Sequence, residues 1–129
     1  MIRLAQSDAY GWEKLVSERL CTHYREDYGL NTRIVRFHNI FGPHGTWEGG
    51  REKAPAALAR KIATARFTGS HEIEVWGDGL QTRSFCYVSD LIEGMIAVAE
   101  SGHHSPINVG NPNEFTLLEL AKTVIEVTE

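Results

Sequence analysis

Tyr10 and Lys14 stand four residues apart in the run Tyr10-Gly11-Trp12-Glu13-Lys14, a spacing that puts a phenol and an ammonium on one face of a helix. A tyrosine phenol titrates near about pH 10 and is a poor base at neutrality. A neighbouring cation favours the phenolate and can turn such a group into a general base. The pair taken alone is a weak signal, because a tyrosine and a lysine four apart on a helix are chance neighbours in most proteins. A second constellation, Arg36-Phe37-His38-Asn39-Ile40-Phe41-Gly42-Pro43, reads as a strand delivering polar groups into a glycine loop. Asn39 falls at the carboxyl end of that strand, where open α/β sheets build their ligand sites, although an asparagine there also suits a turn.

Two further stretches carry charge beside glycine. In Gly49-Gly50-Arg51-Glu52-Lys53-Ala54-Pro55 a flexible loop leads into a helix N-terminus, with Lys61 following on the helix itself. Helix N-termini attract anions, and Arg51, Lys53 and Lys61 add positive charge; a solvated charge run has the same composition. In Gly77-Asp78-Gly79-Leu80-Gln81-Thr82-Arg83-Ser84-Phe85 a turn presents Gln81, Thr82 and Arg83. Arginine there offers a planar fork suited to phosphate, which lysine cannot copy.

The elements that would position these groups alternate. Asp8 can cap a first helix, on which Trp12, Leu15, Val16, Leu20 and Tyr24 recur at helical spacing before Gly29 stops it. Residues 32–37 predict a strand and 39–51 a long glycine-bearing loop. A second helix starts near Ala54 with Pro55 in its first turn and ends at Gly69. Residues 72–76 alternate and predict a strand; 83–88 predict another after the Gly77–Gly79 turn. Ser89 or Asp90 then caps a helix with Leu91, Ile92, Met95, Ile96 and Ala99 on its buried side. Residues 106–109 predict a short strand. Thr116 and Glu119 form a capping box ahead of Leu117, Leu120, Val124 and Val127. Such alternation implies an α/β domain.

At 129 residues the chain is one small domain, and 42% hydrophobic with 23% charged residues is ordinary for a globular protein. The formal charge of −4 argues against a nucleic-acid partner, which needs a net basic face, but leaves room for a local phosphate site. Cys21 and Cys86 have neither the number nor the spacing of a disulfide framework or zinc site, and read as reduced packing thiols. No apolar run approaches the roughly 20 residues of a membrane span, and the first residues lack a signal peptide's apolar core. The expectation is a cytoplasmic protein without a membrane partner. The glycine fingerprint of a dinucleotide fold is missing: Glu48 occupies the position that would complete a motif begun by Gly42 and Gly45, and Thr82 does so after Gly77 and Gly79.

In order along the chain, Tyr10-Gly11-x-x-Lys14, the run from Arg36 to Pro43, Gly49-Gly50-Arg51-Glu52-Lys53-Ala54-Pro55-Ala56-Ala57 and Trp76-Gly77-Asp78-Gly79-Leu80-Gln81-Thr82-Arg83-Ser84-Phe85 resemble GDP-mannose 3,5-epimerases of the extended short-chain dehydrogenase/reductase superfamily. The resemblance covers essentially the whole chain, and its most specific piece is Gly49 to Ala57. It implies a partial Rossmann-like fold: residues 1–129 as a single C-terminal domain with a sugar-nucleotide-binding subdomain, lacking the N-terminal dinucleotide-binding half. It implies that Tyr10 moves the proton when the sugar C4 hydroxyl is oxidised by NAD, that Lys14 binds the nicotinamide ribose and tunes Tyr10, and that Phe37 touches the nicotinamide through its main chain. Lys53 matches one member of the acid/base pair that removes and returns protons at C3 and C5. Tyr10, Asn39, Glu52, Lys53, Ala54, Lys61, Gln81, Thr82 and Arg83 fall where the family contacts the sugar nucleotide.

The departures shape the expectation as much. The family's catalytic cysteine lies on a segment upstream of Tyr10, and neither Cys21 nor Cys86 aligns with it; Phe41 replaces a commoner tyrosine. The chain on its own is therefore expected to bind little or no NAD and not to turn over. A 4-epimerase or 4,6-dehydratase fragment, or a non-catalytic remnant or interaction domain, remains an alternative. Lys53 separates the first of these, since 4-epimerisation needs no proton shuttle at C3 and C5. The resemblance also implies a homodimer or higher oligomer through the helix bearing Tyr10.

Overall fold

The computed structural model describes residues 9–128, so the cap expected of Asp8 lies outside the described residues. The first helix, α1 (Ala9–Tyr28), runs to Gly29, which takes the left-handed φ of 67° that glycine alone adopts without strain. The chain then forms β1 (Val35–Phe37) and β2 (Asn39–Phe41), two three-residue strands separated by His38. The expected single strand over 32–37 and the loop from Asn39 are both corrected by this arrangement. The break is tertiary in origin, because the two strands enter different sheets.

β1 pairs in parallel with β4 (Ile107–Val109), Val35 opposite Ile107 and Phe37 opposite Val109. β2 pairs in parallel with β3 (Thr82–Tyr87), Asn39 opposite Phe85. The other edge of β3 takes β5 (Glu114–Thr116) antiparallel. Parallel neighbours need crossover connections, and the helices supply them. This is a mixed α/β fold with parallel pairing, as the alternating pattern required.

α2 (Ala54–Thr68) begins and ends where its residues demand. Pro55 occupies the first turn, and Gly69 at φ 71° closes the helix while its N–H donates to the Arg66 carbonyl at 3.3 Å and that of Ser70 to Ala65 at 2.8 Å. Leu58 and Ile62 bury its inner face, and the helix packs on α4 (Leu117–Thr128). At the start of α4 the capping box forms fully: the Thr116 N–H donates to Glu119 Oε2 at 2.8 Å and the Glu119 N–H to Thr116 Oγ1 at 3.1 Å.

Three expectations fail here for physical reasons. Residues 72–76 join no sheet among the described residues; their alternation finds no strand edge, and the Glu74 carbonyl accepts from Lys61 Nζ at 2.7 Å instead. α3 (Val88–Glu100) starts directly from β3 at Val88, without a side-chain cap: Ser89 donates its hydroxyl to Asp90 Oδ1, and no side chain accepts from the N–H groups of the helix start. Its buried residues are Leu91 and Val98, while Ile92, Met95, Ile96 and Ala99 stay exposed. The helix therefore turns a narrow stripe, seven residues apart, onto the strands and leaves its broader apolar face uncovered. The core is thin, built from Ile34, Leu58, Ile62, Phe85, Cys86, Leu91, Val98 and Ala121, with Phe41 packed edgewise on Phe85 and Tyr87.

Candidate functional site

Between α1 and the β1–β2 run lies an open cleft of about 970 Å³, lined among others by Tyr10, Lys14, Phe37, Asn39 and Lys53. Helical spacing accounts for the first two. Lys14 Nζ stands 4.9 Å from the centre of the Tyr10 ring, over its face. Tyr10 is 68% exposed, so its phenol is open to a ligand. Lys53 precedes the first residue of α2 in an extended conformation, φ −75° and ψ 157°, and makes no ion pair among the described residues. Its ammonium is available to the cleft.

The floor of the cleft is held by two networks that the spacing of the motifs did not reveal. Glu18, one helical turn beyond Lys14, receives both arms of the Arg36 guanidinium, Nε to Oε1 at 2.7 Å and Nη2 to Oε2 at 2.6 Å. The hydrogen bond from Arg36 holds the Glu18 carboxyl below the usual carboxylate range, and the same contact raises the guanidinium. The charge pattern Lys14-x-x-x-Glu18 was a visible signal; its partner Arg36, eighteen residues away, was not. The second network centres on His38, whose Nδ1 meets the Asn111 carbonyl at 3.1 Å and Ser84 Oγ at 2.9 Å. Asn39 Nδ2 donates to the Ser84 carbonyl at 3.1 Å, so the strand pairing fixes the side chain and leaves its Oδ1 for a ligand.

The remaining expected site residues do not line this cleft: Glu52, Ala54, Lys61, Gln81, Thr82 and Arg83 lie around it or beyond. Glu52 is nearly enclosed, its side chain 8% exposed, and ion-pairs with Arg60 at 2.9 Å. Backbone N–H groups, its own foremost, and then Arg60 hold its carboxyl below the ordinary value. Lys61 stands 5.5 Å over the Trp76 ring, and Gln81 Nε2 donates to the Trp76 carbonyl at 3.1 Å, so these two share one neighbour. Arg83 turns back on the Thr82 carbonyl at 2.7 Å and clamps nothing else among the described residues. Cys21 and Cys86 are both free thiols, Cys86 buried. Among the described residues no cluster of His, Cys, Asp and Glu could hold a metal ion, and no helix is long and apolar enough to cross a membrane.

The family described as NAD dependent epimerase/dehydratase matches residues 2–110. GDP-mannose 3,5-epimerase of Arabidopsis thaliana is 48% identical over 122 residues, which are 95% of this chain and 31% of that protein. UDP-glucuronic acid decarboxylase 1 of the same plant is 41% identical over 128 residues, 98% of this chain and 27% of its own length. UDP-N-acetylglucosamine 4-epimerase from Methanobrevibacter ruminantium, solved with UDP-N-acetylmuramic acid, superposes with a TM-score of 0.81 at 26% identity, over 98% of this chain and 41% of that one. The chain thus spans about a third of the length of the curated relatives it matches. The solved structure has the extended Rossmann-like fold expected above.

Proposed function

This chain belongs to the NAD dependent epimerase/dehydratase family, and from that membership we propose that it is the sugar-nucleotide-binding portion of a GDP-mannose 3,5-epimerase-like enzyme. The observation that carries the reading is the convergence of Tyr10, Lys14, Asn39 and Lys53 on one cleft. Tyr10 takes the proton from the sugar C4 hydroxyl. Lys14 steadies the developing phenolate and binds the ribose beside it. Lys53 removes or returns a proton at a carbon next to C4, a position that the C4 ketone acidifies. Asn39 Oδ1 accepts from the sugar.

The described residues fit the nicotinamide end of NAD, through Tyr10, Lys14 and the main chain of Phe37. The glycine cradle for its pyrophosphate is incomplete in them: β3 passes into α3 directly at Tyr87-Val88, and in the loop between β2 and α2 Glu48 stands where the motif begun by Gly42 and Gly45 needs its last glycine. NAD supplies the hydride acceptor when bound. The chain alone accordingly binds the sugar nucleotide better than NAD and is inactive by itself. Glu52, Ala54, Lys61, Gln81, Thr82 and Arg83 form the outer part of the same sugar-nucleotide site, reached by a ligand that extends from the cleft past the start of α2. The protein acts in the cytoplasm as a homodimer or higher oligomer, without nucleic acid or membrane.

Residue-resolved NMR during a GDP-mannose titration tests this. Shifts at Tyr10, Asn39 and Lys53, together with Lys61 and Arg83, support the reading. Shifts confined elsewhere, or none, overturn it.

A further inference from the structure

His38 sits at the break between β1 and β2 and lines the cleft, yet no step above uses it. Its Nδ1 lies 3.1 Å from the carbonyl oxygen of Asn111. A carbonyl oxygen only accepts, so Nδ1 must carry the hydrogen; two lone pairs facing each other at that distance would repel. Ser84 Oγ, at 2.9 Å, shares the same N–H as a second acceptor. In the neutral ring the lone pair is then left on Nε2. Among the described residues nothing hydrogen-bonds Nε2, and on this part-buried side chain it is not fully buried. Gly110 lies close against the ring, where a Cβ would come within 2.5 Å of Nδ1 and 2.6 Å of the His38 Cβ.

We infer that His38, fixed as the Nδ1–H tautomer by the Asn111 carbonyl and held in place against Gly110, presents Nε2 to the cleft as a hydrogen-bond acceptor for a hydroxyl of the bound ligand. The inference rests on the proposed function in taking that ligand to be a nucleotide sugar, whose hydroxyls are donors. It also sets a preference. A neutral ring nitrogen with an exposed lone pair accepts from a hydroxyl and repels a carboxylate or keto oxygen at the same position, so a neutral hexose is favoured there over a uronic acid.

Imidazole ¹⁵N NMR of the intact chain at about pH 8 tests the tautomer without a ligand. The expected spectrum has His38 Nδ1 protonated and Nε2 unprotonated; the opposite tautomer, or a doubly protonated ring, overturns the inference. GDP-mannose should then move the Nε2 resonance toward its protonated range while Nδ1 stays in place. His38→Asn keeps a donor near the Nδ1 position and removes Nε2; it should weaken GDP-mannose about 3- to 10-fold with little change in melting temperature. Should that variant fail to fold, the wild-type resonances decide alone. Shifts at Tyr10 and Asn39 with a silent Nε2 defeat the acceptor role and leave the nucleotide-sugar reading standing. Silence throughout the cleft defeats that reading and the role with it.

Discussion

Arg36 grips Glu18 with both arms of its guanidinium, at 2.7 and 2.6 Å, and so ties the helix that carries Tyr10 and Lys14 to the strand that carries Phe37. The pairing also takes Glu18 out of competition for Lys14, which lies one turn before it on the same face. Both carboxylate oxygens are used, and Lys14 is left over the Tyr10 ring.

The first prediction concerns acid. Glu18 has its carboxyl lowered from the ordinary 4.5 by the Arg36 hydrogen bond. A group with a depressed folded-state value contributes stability that is present above the unfolded value and lost as pH falls through the folded one. The raised Arg36 guanidinium stays protonated throughout, so it adds nothing to this window. Thermal melts should therefore fall below pH 4.5 in the wild type, and Glu18→Gln should flatten that fall. At neutral pH Glu18→Gln should cost roughly 1 kcal/mol, between the worth of an exposed pair and that of an enclosed bidentate one. An acid limb as steep in Glu18→Gln as in the wild type would show that the bridge contributes nothing.

The second prediction concerns the start of α4. Glu119 is held below its ordinary value first by the Thr116 backbone N–H and then by its hydroxyl. Thr116→Ala removes the hydroxyl that accepts from the Glu119 N–H at 3.1 Å, and should lower stability by about 1 kcal/mol. Thr116→Ser should recover most of that. Urea unfolding of the three proteins checks it, and equal midpoints would mean that the box forms without stabilising the fold.

The features legible in the sequence are those whose causes are local. Pro55 and Gly69 delimit α2, and Thr116 with Glu119 starts α4, because each acts within a few residues of itself. The Tyr10–Lys14 face was readable for the same reason. The division of one apolar run into β1 and β2 at His38 was not, because it depends on β4 and β3 arriving from more than forty residues away. Residues 72–76 show the converse: they have the alternation of a strand and no edge to pair with. On α3 the pattern gave an apolar face, but the strands beneath it take only Leu91 and Val98. The inner site follows suit. Lys53 and Asn39 stood out by motif, while the contacts of Glu18 with Arg36 and His38 with Asn111 join distant segments and left no local trace.

The third prediction concerns Gly110. Its backbone lies against the His38 ring, so Gly110→Ala must push the ring away or shift β4. The expected cost is about 1–3 kcal/mol, in the range of an overpacked site. Gly29→Ala supplies the contrast: among the described residues no atom lies within 4 Å of a Cβ there, so only the strain of φ 67° is felt, at about 1 kcal/mol. In ¹⁵N spectra Gly110→Ala should disturb the His38 ring and Gly29→Ala should not. Undisturbed His38 signals in Gly110→Ala would mean that the ring is not braced there.

The last prediction concerns association. Along α1, Trp12, Val16, Leu20, Tyr24 and Tyr28 follow one another at four-residue intervals, and each is more than half exposed. Residues so spaced form one continuous stripe, and a stripe of this kind packs against another helix by interdigitating its ridges. The inner side of α1 is already committed: Gly11 is buried and Glu18 is bridged to Arg36. The stripe therefore belongs to a different neighbour, and a second copy of α1 offers an identical, self-complementary face about a two-fold axis. Uncovered apolar surface of this extent favours association. The chain should form a dimer or larger oligomer at micromolar concentration, measured by light scattering against the 14.5 kDa of the monomer. Val16→Glu with Leu20→Lys should shift it to monomer. Because both side chains are exposed, that change should not alter the far-ultraviolet circular dichroism of the fold. A wild type that scatters as a 14.5 kDa particle at that concentration would rule the dimer out.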